Sequence, residues 1–156
     1  MKYFKLFIVL FLSSFLIINA QNKQGIAKTS ASEQSPSSVR DGVLVHISSS
    51  ADNPQKVLMG LTLALKMADD HDVYIYLDNA AVTLFLNNSK SIEFAKFEAS
   101  KILFTKLLDK GAKITVCPIC LEVSNHNQYE LMKGVSLTQK EDFFNFTKGR
   151  IISLDY

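Results

Sequence analysis

Residues 111–120 read Gly-Ala-Lys-Ile-Thr-Val-Cys-Pro-Ile-Cys, and the reading of the fold grows from this stretch. Ile114, Thr115 and Val116 are all β-branched, a run that suits a pleated strand. Gly111 stands where a preceding helix should end, because a residue without Cβ closes a helix in the left-handed conformation. Pro118 suits the first position of a following helix, where the missing N–H would have no partner anyway. A helix–strand–helix passage is the repeating unit of an α/β domain. It places the chain's only two cysteines, Cys117 and Cys120, just past the end of a strand.

In open parallel sheets that edge is where ligands and catalytic groups gather. With Pro118 opening the helix, Cys117 becomes its N-cap and Cys120 lies one turn on, on the same side. Unpaired amide N–H groups and the positive end of the helix dipole favour an anion there. The Cys117 thiol is therefore expected to ionise below a free thiol, which makes Cys117 a candidate nucleophile. A structural disulfide or a buried core pair is the alternative. A zinc site would need four ligands, and His126 is the only nearby candidate among three histidines.

Outward from the cysteines, β-rich runs alternate with segments of helical period. Residues 43–47 (VLVHI) read as a first strand, and residues 73–77 (VYIYL) as a second. Between them, Asn53-Pro54 opens a helix carried by Val57, Leu58, Leu61, Leu65 and Ala68. Asp78 or Asn79 can cap a short helix reaching Leu86. Residues 87–96 read as a surface connection and 97–110 as an amphipathic helix with Ile102, Leu103, Leu107 and Leu108 on its core side. Thr138-Gln139-Lys140-Glu141 fits a capping box before Phe143, Phe144 and Phe146. Residues 134–136 and 150–154 read as the remaining strands. The fold class is α/β: a single-domain three-layer sandwich with a mainly parallel sheet of about five strands and helices on both faces.

Residues 1–20 have the layout of a secretory signal peptide: Lys2 and Lys5, then apolar residues broken only by Ser13 and Ser14 up to Ile18, then Asn19-Ala20-Gln21. Cleavage after Ala20 is expected, with a periplasmic or secreted location; uncleaved, the segment would be a membrane anchor. Setting it aside removes two of 17 basic residues and none of the 15 acidic ones, so the apparent charge of +2 falls to neutral. A neutral chain without a basic cluster argues against nucleic acid as a partner. Residues 21–40 hold five serines and three glutamines against four apolar residues and read as a disordered tether. The folded domain is then 41–156.

Other polar residues have both a functional and a structural reading. The turn at residues 48–53 (SSSADN) can bind an anion or simply end in the Asn53 cap. His46 reads as a hydrogen-bonded strand histidine, His71 as a solvated turn residue, and His126 as a helix-end residue or an acid–base partner of the thiols. Asp78 and Asn79 either shape the cysteine pocket or cap a helix. No Gly-rich phosphate loop is present, and no cofactor is expected.

The order of these elements, with the strings LLDKGAKITVCPIC and LMKGVSLTQKEDFF, resembles the DsrE/DsrF-like family of small sulfur-relay proteins. The resemblance covers residues 41–156, and its specific part is the G-x-x-x-x-V-C-P-x-C string. It implies that Cys117 accepts sulfur as a persulfide and passes it on, with donor and acceptor proteins or small thiols as partners, and that the chain forms trimers or hexamers. Three functions follow as expectations: a sulfur carrier acting through Cys117, of sulfurtransferase type if it turns over at all; a thiol–disulfide oxidoreductase in which Cys120 resolves a mixed disulfide on Cys117; and a non-catalytic oligomeric binding module with a structural cysteine pair.

Overall fold

The computed structural model describes residues 39–156, so the signal segment at 1–20 and all but the last two residues of the tether at 21–40 lie outside the described residues. Among the described residues, no helix is long and apolar enough to cross a membrane. The strands are β1 (Gly42–Ile47), β2 (Asp72–Leu77), β3 (Lys113–Val116), β4 (Val135–Leu137) and β5 (Ile151–Asp155). The helices are α1 (Pro54–Met67), α2 (Ser100–Asp109), α3 (Pro118–Val123) and α4 (Asp142–Asn145), with 3-10 turns at Asn79–Thr83 and Gln128–Glu130. The strands run β4-β3-β2-β1-β5 and every pair is parallel, as expected of the α/β class.

Alternation along the strands divides the sheet into two unlike faces. One carries Val43, Val45 and Ile47, then Val73, Ile75 and Leu77, then Ile114 and Val116, all at least 96% buried. Val57, Leu58, Leu61 and Ala64 of α1 join them in one cluster with Leu103, Phe104 and Leu107 of α2. Each large side chain removed from water there contributes about 1.5–3 kcal/mol, so this face dominates the stability. The other face carries Leu44, His46, Tyr74, Tyr76 and Thr115 and is covered more thinly. Phe143 and Phe146 lean on Tyr74 with ring centroids 5.6 and 5.3 Å away. The buried Tyr74 hydroxyl pairs with Thr115 Oγ1 at 2.7 Å.

Three elements depart from the sequence reading, two because a side chain has a better partner and one because the backbone has. Helix α2 starts at Ser100 rather than at residue 97, since the Ser100 hydroxyl takes the Ile92 N–H at 2.8 Å and ties the connection down. Thr138 caps no helix: its hydroxyl donates to Val116 O at 2.9 Å and meets Thr115 Oγ1 at 2.8 Å. α4 therefore begins at Asp142, whose carboxylate accepts the Gln139 N–H. After β2 the helical segment is only the five-residue 3-10 turn, and Leu86 pairs with Leu131 in an isolated antiparallel bridge instead of extending it. Gly111 does end α2, at φ +79.

The fold's contacts begin at Arg40, whose guanidinium donates to the carbonyls of His71 and Ala68. Beside it, Asp41 holds Arg150 through backbone and side-chain bonds, and Thr147 Oγ1 donates to Arg40 O at 2.6 Å. Gly149 lets the two segments pass: a Cβ there would lie 2.4 Å from Arg40 O. Gly149→Ala is thus expected to force the entry of β5 away from β1 and to lower the unfolding free energy by about 1–3 kcal/mol. Urea unfolding followed by circular dichroism measures it, and an unchanged midpoint would contradict this packing.

Candidate functional site

Cys117 continues β3 by one residue, its N–H donating to Leu77 O at 2.8 Å. Strand alternation therefore puts its side chain on the thinly covered face, with Thr115. As expected from the sequence, Cys117 caps α3: its Sγ accepts the Cys120 N–H at 3.4 Å. Leu121, 2% exposed, anchors the helix in the core, while Ile119 and Val123 face outward. Both cysteines are free and half-buried.

Burial pushes the Cys117 thiol up, but hydrogen bonds from the Cys120 thiol, the Cys120 N–H, the Tyr76 hydroxyl and the Ile119 N–H outweigh it and leave its pKa lowered. Cys120 moves the opposite way, raised chiefly by its bond to Cys117 and then by burial. The two thiols thus diverge, with Cys117 the more acidic and Cys120 the less. Tyr76 is held above its ordinary value by burial and by its hydrogen bond to Cys117, so it keeps its proton.

Tyr76 sits between two rings. His46 stacks on it with centroids 5.4 Å apart and planes 29° apart, and Phe143 meets it edge-on at 5.0 Å. His46 is itself held by two carboxylates. Its Nδ1 bonds Asp155 Oδ1 at 2.9 Å, and its Nε2 lies 3.0 Å from Asp78 Oδ1, an ion-pair distance without good hydrogen-bond alignment. Burial would lower the His46 pKa, but Asp78 and Asp155 prevail and raise it. Asp78 is free to do this because its side chain caps nothing at the 3-10 turn.

The remaining candidates fall elsewhere. Asn53 caps α1, its side chain accepting the Lys56 N–H. Ser50 and His126 line an open groove of about 340 Å³ with Thr83 and Lys90. His126 bonds Glu130 at 2.8 Å, inside the cap of a 3-10 turn. His71 pairs with Asp70 next to the start of β2, at the opposite end of the sheet. Phe144 is 70% exposed, unlike Phe143 and Phe146. Among the described residues, no group of three or more His, Cys, Asp or Glu converges as metal ligands do. Tyr76 and Asp155 belong to the site without any sequence motif to mark them.

The DsrE/DsrF-like family profile matches residues 41–150. Among solved structures, the YchN protein from E. coli superposes with a TM-score of 0.60 at 15% identity, covering 74% of this chain and 99% of that one. A protein of unknown function from Methanobacterium thermoautotrophicum, MTH1491, superposes at 0.51 with 18% identity, covering 72% and 98%. At these identities the likeness is one of fold. No curated protein matches the chain.

Two titrations follow. Because its pKa is lowered, Cys117 should reach its maximal rate of alkylation by iodoacetamide at a lower pH than a free thiol near ~8.5, and should be modified before Cys120; peptide mass mapping across a pH series reads both. His46 should titrate above ~6.5, so the stability its carboxylate pairs contribute is present below that pH and lost as pH rises through the raised pKa. Asp155→Asn should bring the His46 midpoint down in a proton NMR titration; an unmoved midpoint contradicts the pairing.

Proposed function

The chain belongs to the DsrE/DsrF-like family, a membership that points to a sulfur-relay type of role, and on that premise we propose that Cys117 carries sulfur as a persulfide. The observation that carries the proposal is a half-buried thiol at the end of β3 that caps α3 and accepts the Cys120 N–H. The Cys117 thiolate attacks the outer sulfur of a donor persulfide R–S–SH. A new S–S bond forms on Cys117, the donor's S–S bond breaks, and R–S⁻ leaves and takes up a proton. In delivery, an acceptor thiolate attacks the outer sulfur on Cys117 and regenerates the Cys117 thiolate. Neither step needs an oxidant or reductant, because sulfane sulfur only changes hands.

A lowered pKa suits this work: it raises the thiolate fraction relative to a free thiol, and it makes the sulfur a better leaving group when the outer sulfur is handed on. Cys120 resolves the adduct if the acceptor is delayed: its thiolate attacks Cys117 Sγ, the bond from Cys117 Sγ to the outer sulfur breaks, hydrosulfide leaves, and a Cys117–Cys120 disulfide forms. The bond from the Cys120 backbone N–H to Cys117 Sγ, which keeps the two cysteines one helical turn apart, favours a second reading, a thiol–disulfide oxidoreductase in which Cys120 resolves a mixed disulfide on Cys117. We further propose that the protein acts outside the cytoplasm, on the strength of residues 1–20, and as a homo-oligomer, on the strength of the family.

Reduced protein incubated with a persulfide donor, then read by intact mass, should gain sulfur in the wild type and in Cys120→Ser but not in Cys117→Ser. Turnover of a small disulfide substrate, with no sulfur gained by the wild type, would instead establish the oxidoreductase.

A further inference from the structure

The pairing registers line up one row of side chains across the thin face. Asp155 of β5 pairs with His46 of β1, His46 with Tyr76 of β2, Tyr76 with Thr115 of β3, and Thr115 with Ser136 of β4. Cys117 lies two residues beyond Thr115 on the same face, diagonally across from Tyr76, a separation that an aromatic side chain can span between neighbouring strands. We propose that Tyr76 is the hydrogen-bond donor that holds the anionic sulfur of Cys117, and that His46, fixed by Asp155 and Asp78, positions the Tyr76 ring for that task. The proposal rests on the reading of Cys117 as the reacting sulfur.

Helix α3 has only six residues, and its Cys120 N–H meets the sulfur at 3.4 Å. A second donor fixed by the sheet rather than by the helix completes the cradle. Tyr76 meets the requirements of a preorganised donor, which must be aimed before charge arrives so that nothing reorganises when it does. Its ring cannot turn freely, since His46 covers one side and the edge contact with Phe143 limits the other. His46 cannot turn freely either, because each of its nitrogens faces a carboxylate.

The charges around the sulfur agree with a donor rather than a cation as its support. The groups around it are Cys120 on α3 and Tyr76 on β2, with Asp78 at the end of β2 beside both, while His46 and Asp155 from β1 and β5 stand behind the Tyr76 ring. His46 is the only one of these able to carry positive charge, and two carboxylates offset it. Tyr76 gives up no proton in this scheme. A phenol that retains its hydrogen stays a donor through both halves of a sulfur transfer, whereas one that ionised would repel the sulfur.

The test is the pH profile of Cys117 alkylation in the full chain for wild type, Tyr76→Phe, His46→Gln and the double variant, with circular dichroism to establish folding. Tyr76→Phe removes one oxygen and keeps the ring stack. It should raise the midpoint by about one pH unit and slow alkylation at neutral pH about tenfold. His46→Gln should shift the midpoint in the same direction by less, and the double variant should be no slower than Tyr76→Phe alone, because His46 acts through Tyr76. A Tyr76→Phe profile that overlays the wild type overturns the donor role. A His46→Gln profile that overlays the wild type, or an effect that adds in full, overturns the positioning role. Sulfur loading is scored separately: a shifted profile in a protein that loads no sulfur sinks the carrier and leaves Tyr76 in place, and unshifted profiles in a protein that does load sulfur do the reverse.

Discussion

The in-register parallel pairing of β1, β2, β3 and β5 is the constraint on which the rest depends. Register in this sheet is set by the face that matters least to the chemistry. Val43, Val45, Ile47, Val73, Ile75, Leu77, Ile114 and Val116 must all reach the side covered by α1 and α2. A slip of one residue would turn a strand's apolar set outward, at a cost of several side chains each worth about 1.5–3 kcal/mol. No contact on the other face approaches that sum. His46, Tyr76 and Thr115 therefore stand in one row because their apolar neighbours in sequence are buried, Asp155 joins it through the pairing of β5 with β1, and Cys117 is delivered to the row by the same alternation as Thr115.

Much of this was legible in the sequence. The alternation of strand and helix, the parallel sheet, Gly111 as a helix stop and Cys117 as a helix cap all follow from local patterns of a few residues, and local patterns are what a sequence displays directly. Tyr76 was hidden because a tyrosine within VYIYL is an ordinary strand former, and nothing in the string separates the one that packs from the one that points at a thiol. Asp155 was hidden for a different reason: its bond to His46 spans 109 positions and exists only because β5 pairs with β1. The strand order, with β1 inside and β5 at the edge, is a tertiary fact with no local signature.

Where the local rules misled, a nonlocal partner outbid a local one. Thr138 in a capping-box string belongs at a helix N-terminus by propensity, yet Val116 O and Thr115 lie within reach of its hydroxyl across the sheet. The result bears on the site, since it leaves α4 a single short turn. Phe143 is then free to lie against Tyr76 instead of inside a longer helix.

The His46–Asp155 bond has a consequence for assembly. Contacts between residues distant in the chain form slowly, because the entropy of closing a long loop is lost before the contact gives anything back. Until β5 pairs with β1, His46 lacks one of its carboxylates and the row is incomplete. On the proposed support of Cys117 by Tyr76, the thiol reaches its full reactivity only in the completed sheet, which ties the nucleophile to a contact between the first and the last strand of the fold.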